Sequence, residues 1–303
     1  MTQKNKNIFY ILMILAMSGW GASWVNAKVL SSYINEYEMI VFRNFFTIIT
    51  LAPILVYYKK YFYISKKSLI LCIIASILMI AYMKCYFLGT KYGTASLGGA
   101  LVTTLIPINT FILMALFYKR KIQKKDVFAL IIGGFGVLTI LHVWTFNMQE
   151  VFTAHNLYFL CGSLLWALVT IVSSKSTNTS PMVFSFYMYV IMSIIAAVFF
   201  VDFSAINFSS FDSVFWINMF IVSVISTTFA TTIYFIGIEK LGANEVSTFI
   251  FLVPVFAISF SAIFLKEEIS PSIVIGTIMT LFAVKILNNI KIFKKKQLTN
   301  EKS

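Results

Sequence analysis

Hydrophobic residues run through this chain in long stretches that short polar segments separate. Each stretch is close to the roughly 20 residues that an α-helix needs to cross the hydrocarbon core of a bilayer. The pattern predicts an all-α membrane protein with ten transmembrane helices, at residues 8–30, 37–57, 68–88, 94–117, 126–144, 155–175, 181–202, 213–237, 243–265 and 271–289. The connections between these helices are short, so we expect one membrane domain to fill the chain.

Two similar segments lie 147 residues apart. Pro107 and Pro254 each begin a 13-residue run that ends in lysine. Because five predicted helices separate equivalent positions, the two halves must enter the bilayer in opposite orientation. We therefore predict an inverted 5+5 repeat around a central cavity, with halves at 1–147 and 148–290 and a basic tail at 291–303. Such a repeat is typical of transporters whose substrate site lies between the halves.

The distribution of charge changes what a net charge of +13 implies. With 59% hydrophobic residues and a mean hydropathy of +0.88, the chain is far from a soluble composition. Lys and Arg segregate between the connections, 18 on one side and two, Lys91 and Lys266, on the other. The positive-inside rule then predicts a multi-pass protein of the inner (plasma) membrane with both termini in the cytoplasm. The basic tail is a topology signal and a candidate contact for anionic lipids, and no nucleic-acid partner is predicted.

The titratable residues argue against several chemistries. None of the eleven acids falls near the middle of a predicted helix, so a buried carboxylate relay for a coupling ion is not expected. The three cysteines are dispersed, and neither Cys nor His occurs at metal-ligand spacing. We therefore predict no metal and no cofactor. Since no nucleophile–base set and no phosphate-binding loop is found either, we predict that the protein is not an enzyme.

Two cations and a threonine-rich face are candidates for substrate contact. Arg43 and Lys84 both lie about 6–8 Å below the predicted outer surface, counted at the rise of an α-helix. Snorkelling to headgroups is the alternative for each. The repeat offset relates Lys84 to Thr231, and Thr228, Thr231 and Thr232 share one helical face. The hydroxyls of these threonines either join helices or face Lys84 across one cavity. As contacts for a substrate anion, we rank Lys84 first and Arg43 second.

Residues at mid-depth complete the predicted site. Pro107 and Pro254 each remove a backbone hydrogen bond at equivalent places of the repeat, so we predict paired hinges. Trp20 and Trp166 are too deep for an interfacial belt, and they either pack or stack on a substrate. Asn109 lies beside the first hinge and joins the predicted substrate-binding residues.

Short motifs along the chain occur in the order of one known family. They are Trp20-Gly21 with Lys28, Arg43, Tyr92-Gly-Thr-Ala95 leading to Pro107, Trp166-Ala167, Leu241-Gly-Ala243 leading to Pro254, and Lys266-Glu267-Glu268 followed by Gly276. In this order they resemble the EamA-like branch of the drug/metabolite transporter superfamily. The resemblance implies helices 1–4 and 6–9 around a central cavity, with helices 5 and 10 at the periphery. The chain departs from the family at Lys119-Arg120-Lys121, where an acid is usual, and at Lys84.

These features predict a secondary transporter that moves a small organic metabolite, of the amino acid or organic acid type, by alternating access. The predicted direction is export. A membrane-embedded enzyme is an alternative, but it would need a convergent acid or His cluster at one interface. A non-transporting membrane sensor or assembly partner is another, and it would need a signalling domain or a long tail. The predicted partners are the substrate and the lipid bilayer, with the protein a monomer or homodimer.

Overall fold

The computed structural model describes residues 3–118, 122–177 and 179–287, which form helices and contain no β-strand. The helices are α1 (Gln3–Leu30), α2 (Glu36–Tyr57), α3 (Lys66–Tyr92), α4 (Ala95–Tyr118), α5 (Lys124–Ile140), α6 (Ala154–Ser174), α7 (Pro181–Phe199), α8 (Ser213–Leu241), α9 (Ala243–Phe249 and Leu252–Phe264) and α10 (Pro271–Leu287). Eight of them are long and apolar enough to cross a membrane, and α10 is a shorter apolar helix. The all-helical membrane fold is therefore confirmed. The predicted basic tail lies outside the described residues.

Polar side chains at the connections set where helices begin. Asn35 and Glu38 form a capping box at the start of α2, in which the Asn35 side chain accepts from Glu38 N at 3.0 Å. Asp212 caps α8 and accepts from Phe215 N at 2.9 Å. This hydrogen bond holds the pKa of Asp212 below its ordinary value. Such caps satisfy N–H groups that the first helical turn leaves without partners.

Contacts between helix ends give the direction of each half. α3 begins beside the end of α6, where Ser176 Oγ donates to Ser68 Oγ at 2.9 Å. It ends beside the end of α1, where Lys28 Nζ donates to Gly93 O at 2.6 Å. We call the end of the protein around Gly93 the first end and the end around Ser68 the second end. α1 and α6 therefore end on opposite sides, so equivalent helices of the two halves run in opposite directions.

The packing of the helices obeys an exchange of the two halves. α1 packs on α8 and α9, a group we call the α1 bundle, and its equivalent α6 packs on α3 and α4, the α6 bundle. Three further packed pairs each consist of two helices that are equivalent in the repeat, so exchanging the halves leaves the pair unchanged. These pairs are α2 with α7, α4 with α9 and α5 with α10. α5 and α10 contact each other and α4, which leaves them beside the two bundles. The packing therefore has the two-fold relation that the sequence offset indicates.

Glycines let the two bundles approach closely in the half of the protein nearer the first end. A Cβ added to Gly99 of α4 would overlap the Cβ of Ala257 in α9. On the other side of α9, a Cβ on Gly21 of α1 would lie 2.5 Å from Phe256 Cβ. Small residues serve this purpose in membrane proteins, because close backbone approach gives the dispersion contacts that hold helices together there. The pair α4–α9 is thus the central contact between the bundles.

Candidate functional site

Arg43 is a half-buried cation on α2 that faces α8. Its Nε donates to Thr227 Oγ1 at 3.0 Å. Tyr82, Tyr86 and Tyr189, from α3 and α7, lie close enough to interact with its charge. Among the described residues, Arg43 forms no ion pair with a carboxylate. A cation held inside a helix bundle without a counter-charge favours the binding of an anion.

Thr227 owes its place to a π-helical segment within α8, residues Ile221–Phe229. There the hydroxyls of Thr227 and Thr228 donate to carbonyls five residues back, Val222 O at 2.7 Å and Ser223 O at 3.2 Å. In an α-helix such hydroxyls reach back three or four residues instead. π-helical segments are rare and occur frequently at functional sites. The segment brings Thr227 to Arg43, a contact that the sequence pattern does not predict.

The three threonines predicted to share one face have different surroundings. Thr228 Oγ1 lies 2.7 Å from Thr50 Oγ1 and so joins α8 to α2. Thr231 interacts with Tyr189 and therefore lies beside the group around Arg43. Thr232 is buried, and its hydroxyl has no hydrogen-bond partner in the described part of the chain. The prediction assumed a regular 3.6-residue turn, which the π-helical segment interrupts.

Lys84 lies nearer the first end than Arg43. Its Nζ is 5.5 Å from the centroid of the Tyr37 ring, in the first turn of α2. This cation–π contact stabilises the ammonium charge in part. Arg43 in turn is surrounded by hydroxyl groups, those of Thr227 and Tyr86 among them. Lys84 and Arg43 both remain predicted anion contacts.

The two predicted tryptophans pack against tyrosines in different bundles. Trp166 of α6 lies edge-on to Tyr82 with ring centroids 4.7 Å apart. It therefore joins the aromatic group around Arg43. Trp20 of α1 lies 5.2 Å from the ring centroid of Tyr234 in α8, within the α1 bundle. The structure brings Trp166 to Tyr82, one of the tyrosines around Arg43, and gives Trp20 a packing contact.

The predicted polar and hinge residues of α4 and α9 also differ from one another. Asn109 Nδ2 donates to Ser163 Oγ at 2.9 Å and joins α4 to α6 within one bundle. α4 continues as one helix through Pro107, whereas α9 is broken at residues 250–251, just before Pro254. The helix break thus exists at one of the two predicted hinges.

Two of the three cysteines, Cys85 and Cys161, lie close enough to interact with each other. Cys72 is buried, Cys85 is half-buried and Cys161 is exposed, and all three are free. Among the described residues, no group of three His, Cys, Asp or Glu side chains could hold a metal ion.

Long apolar helices in two exchangeable halves, with a half-buried cation on α2, are typical of a multi-pass membrane transporter. The chain belongs to the EamA-like transporter family, which residues 7–142 and residues 154–289 each match. The two matching segments begin 147 residues apart, the offset that separates Pro107 from Pro254. The resemblance seen in the sequence is confirmed.

Individual relatives are also transporters. The chain is 26% identical over 269 residues to the uncharacterized transporter YoaV of Bacillus subtilis (strain 168), covering 86% of this chain and 89% of YoaV. It is 26% identical over 192 residues to an S-adenosylmethionine uptake transporter of Rickettsia bellii (strain RML369-C), covering 60% of this chain and 61% of that protein. One solved crystal structure superposes on this chain with a TM-score of 0.63 and 12% sequence identity. The superposition covers 92% of this chain and 96% of the solved chain, and at this identity it supports the fold alone.

Proposed function

We propose that this protein is a secondary transporter that carries a small organic metabolite with at least one anionic group, an amino acid or an organic acid. Ten helices cross the inner membrane as two inverted halves, residues 1–147 and 148–290, with both termini in the cytoplasm. Alternating access comes from movement of the α1 bundle against the α6 bundle. Export is the proposed direction. The fold of the family supports transport, and the surroundings of Arg43 support the class of substrate.

The observation that carries the substrate class is the hydrogen bonding of Arg43. A guanidinium has five N–H donors and no acceptor. Thr227 occupies the Nε donor, at 3.0 Å. Nη1 lies 3.9 Å from Met83 Sδ, a weak acceptor, and Arg43 also forms a side-chain hydrogen bond with Tyr86. Five donors exceed these described acceptors, so N–H groups of Arg43 remain for a carboxylate, the group that Arg binds most strongly.

Lys84 and Trp166 extend the proposed site in two directions. Lys84 is half-buried and forms no ion pair among the described residues, so it can provide a second positive contact on the first-end side. Trp166 and Tyr82 present ring faces and edges near Arg43, which suit the organic part of a metabolite. A zwitterion such as an amino acid would place its carboxylate at Arg43 and its ammonium near these rings.

An S-adenosylmethionine-like substrate is a second candidate, because relatives from Rickettsia are S-adenosylmethionine uptake transporters. That molecule combines an α-carboxylate, which Arg43 could bind, with a planar base and a sulfonium cation, which aromatic rings could bind. It would reverse the proposed direction from export to uptake. The same assay can separate the two candidates.

Counterflow in proteoliposomes tests the proposal. Vesicles loaded with each of a panel of amino acids, organic acids and S-adenosylmethionine are assayed for uptake of the same labelled compound. Each carboxylate is paired with its amide or methyl ester as a matched control. We expect transport of a carboxylate and at least tenfold slower transport of its neutral partner, since the latter offers Arg43 no charge. Equal transport of both partners would contradict the anion site, and efflux and influx measured separately give the direction.

A further inference from the structure

We propose that Glu267 is a latch between the two bundles that keeps the first end closed. Arg120, at the equivalent position of the repeat, cannot form the same contact, so the empty transporter is biased towards opening at the second end. The inference deepens the alternating-access part of the proposed function and requires nothing about the substrate. It rests on polar contacts at the two ends and on the repeat itself.

Glu267 follows α9 and binds the start of α4. Its Oε1 accepts from Ala95 N at 2.8 Å, and its Oε2 accepts from Ser96 N at 2.9 Å. Ala95 and Ser96 are buried and Glu267 is half-buried, so these hydrogen bonds are partly shielded from water. A carboxylate at a helix N-terminus gains from the free N–H groups and from the helix dipole. One side chain of the α1 bundle thus caps a helix of the α6 bundle.

Lys28 adds a second contact between the bundles at the same end. Its Nζ donates to Lys91 O at 2.9 Å and to Gly93 O at 2.6 Å, at the end of α3. A cation at a helix C-terminus is favourable for the same reason that an anion is favourable at the N-terminus. Glu267 lies close enough to interact with the Lys28 charge. The junction between α3 and α4 is therefore held by two opposite charges from the α1 bundle.

The described polar contacts at the second end lie within one bundle or are exposed, unlike those of Glu267 and Lys28 at the first end. Glu245 and Tyr10 bond within the α1 bundle, and Ser176 and Ser68 bond within the α6 bundle. The ion pair of Lys60 with Glu239, 2.7 Å long, does reach the α1 bundle, from the α2–α3 connection. It is open to solvent, however, and exposed ion pairs contribute little. Within the described residues, the charged side chains that bind backbone groups across the two bundles thus lie at the first end.

The repeat places a residue of opposite charge at the position equivalent to Glu267. In an inverted repeat, closing the second end brings together the equivalents of the residues that close the first. The position 147 residues before Glu267 is Arg120, which lies outside the described residues. A guanidinium cannot accept hydrogen bonds from N–H groups, and its charge opposes the dipole at a helix N-terminus. The equivalent of Lys28 is Lys175, whose Nζ lies 5.9 Å from the centroid of the Tyr118 ring and not at helix carbonyls.

Distances between spin labels at the first end test the latch. Cysteines replace Lys91, at the end of α3, and Lys266, after α9, in a chain without other cysteines. Both sites are exposed and lie on different sides of the proposed opening. Double electron–electron resonance is then recorded on the substrate-free protein in lipid nanodiscs. We expect a predominant short distance in the otherwise unmodified protein, with a minor long one.

Three variants give the decisive comparison. Glu267→Gln keeps the size of the side chain but removes its charge, and we expect the ratio of long to short distances to rise about tenfold. Glu268→Gln removes the neighbouring, exposed acid and should leave the ratio unchanged. Arg120→Glu gives the second end a possible acceptor and should raise the ratio as well. Three results would each overturn the proposal. They are a ratio of long to short distances that Glu267→Gln leaves unchanged, a rise in Glu268→Gln equal to that in Glu267→Gln, and a predominant long distance in the otherwise unmodified protein. Failure of the latch would leave anion binding at Arg43 untouched, because the counterflow panel measures that separately.

Discussion

At the scale of single residues, the site depends on which polar groups have partners. The sequence alone identified Arg43 as a cation inside a helix without a nearby acid, and the described structure agrees. It could not identify Thr227, because helical spacing places its neighbours Thr228 and Thr231 on the predicted face. Only the extra residue per turn in a π-helical segment brings Thr227 to Arg43.

Replacing Thr227 with Val should weaken substrate affinity while leaving the fold intact. Valine has nearly the same shape but cannot accept from Nε, so Arg43 loses the hydrogen bond that orients it. We expect KM for the transported anion to rise about tenfold with a smaller change in maximal rate. Thr227→Ser keeps the hydroxyl and should restore most of the affinity. Thr170→Val, on an exposed face of α6, is the matched control.

An unchanged KM in Thr227→Val would show that the Thr227 hydroxyl does not orient Arg43. Equal losses in the Val and Ser variants would point to packing and not to the hydrogen bond. Measuring initial rates of counterflow over a range of substrate concentrations distinguishes these outcomes.

At the scale of helices, the lengths and order of the apolar elements were predictable because each must cover a bilayer. The irregularities were not. The break in α9 precedes Pro254, as a missing N–H predicts. The same residue type at Pro107 leaves α4 continuous, since the surrounding packing decides whether a helix bends. The close contact of α4 with α9 likewise depends on which glycine of the pair Gly98 and Gly99 faces α9.

Gly99→Ala should destabilise the protein. The added Cβ would overlap Ala257 and push α4 and α9 apart, at a cost of ~1–3 kcal/mol. We expect a clear fall in the midpoint of thermal unfolding in detergent. Gly134→Ala is the matched control, because a Cβ on that residue of α5 would meet nothing within 4 Å. A midpoint for Gly99→Ala equal to that of the control would contradict the close packing of the two helices.

Pro254→Ala should slow transport more than Pro107→Ala. Alanine restores a backbone donor, and at Pro254 this favours closing the break at residues 250–251 into one stiff helix. At Pro107 the helix is already continuous, so less changes. Maximal counterflow rates of the two variants, compared at equal protein in the vesicles, check the order. Equal slowing would support the symmetric hinges predicted from the sequence, and no slowing in either would remove the hinge from the mechanism.

At the scale of the whole molecule, the 147-residue offset between the two halves predicts most of the architecture. The 147-residue offset recurs in the two family matches, and it implies the antiparallel halves and the exchange of packed pairs. The offset could not show how the two ends differ, since that depends on side chains such as Glu267 whose equivalents differ in charge.

The proposed orientation in the membrane rests on the segregation of Lys and Arg in the sequence. A single cysteine at Lys124, beside the second end, should react with a membrane-impermeant maleimide only after the cells are opened. A single cysteine at Lys91, at the first end, should react in intact cells. The reverse pattern would invert the proposed topology and place the termini outside.

The most direct test of the central claim is counterflow of the transported anion by Arg43 variants. Arg43→Gln keeps the length and the hydrogen-bonding capacity of the side chain in part but removes its charge. We expect Arg43→Gln to lose at least about 99% of transport and of the thermal stabilisation that substrate gives. Arg43→Lys should keep a measurable part of both, and Lys84→Met should lose severalfold less transport than Arg43→Gln. Folding is checked by the unfolding midpoint without substrate. If well-folded Arg43→Gln transports a carboxylate at the rate of the unmodified protein, Arg43 is not the anion contact.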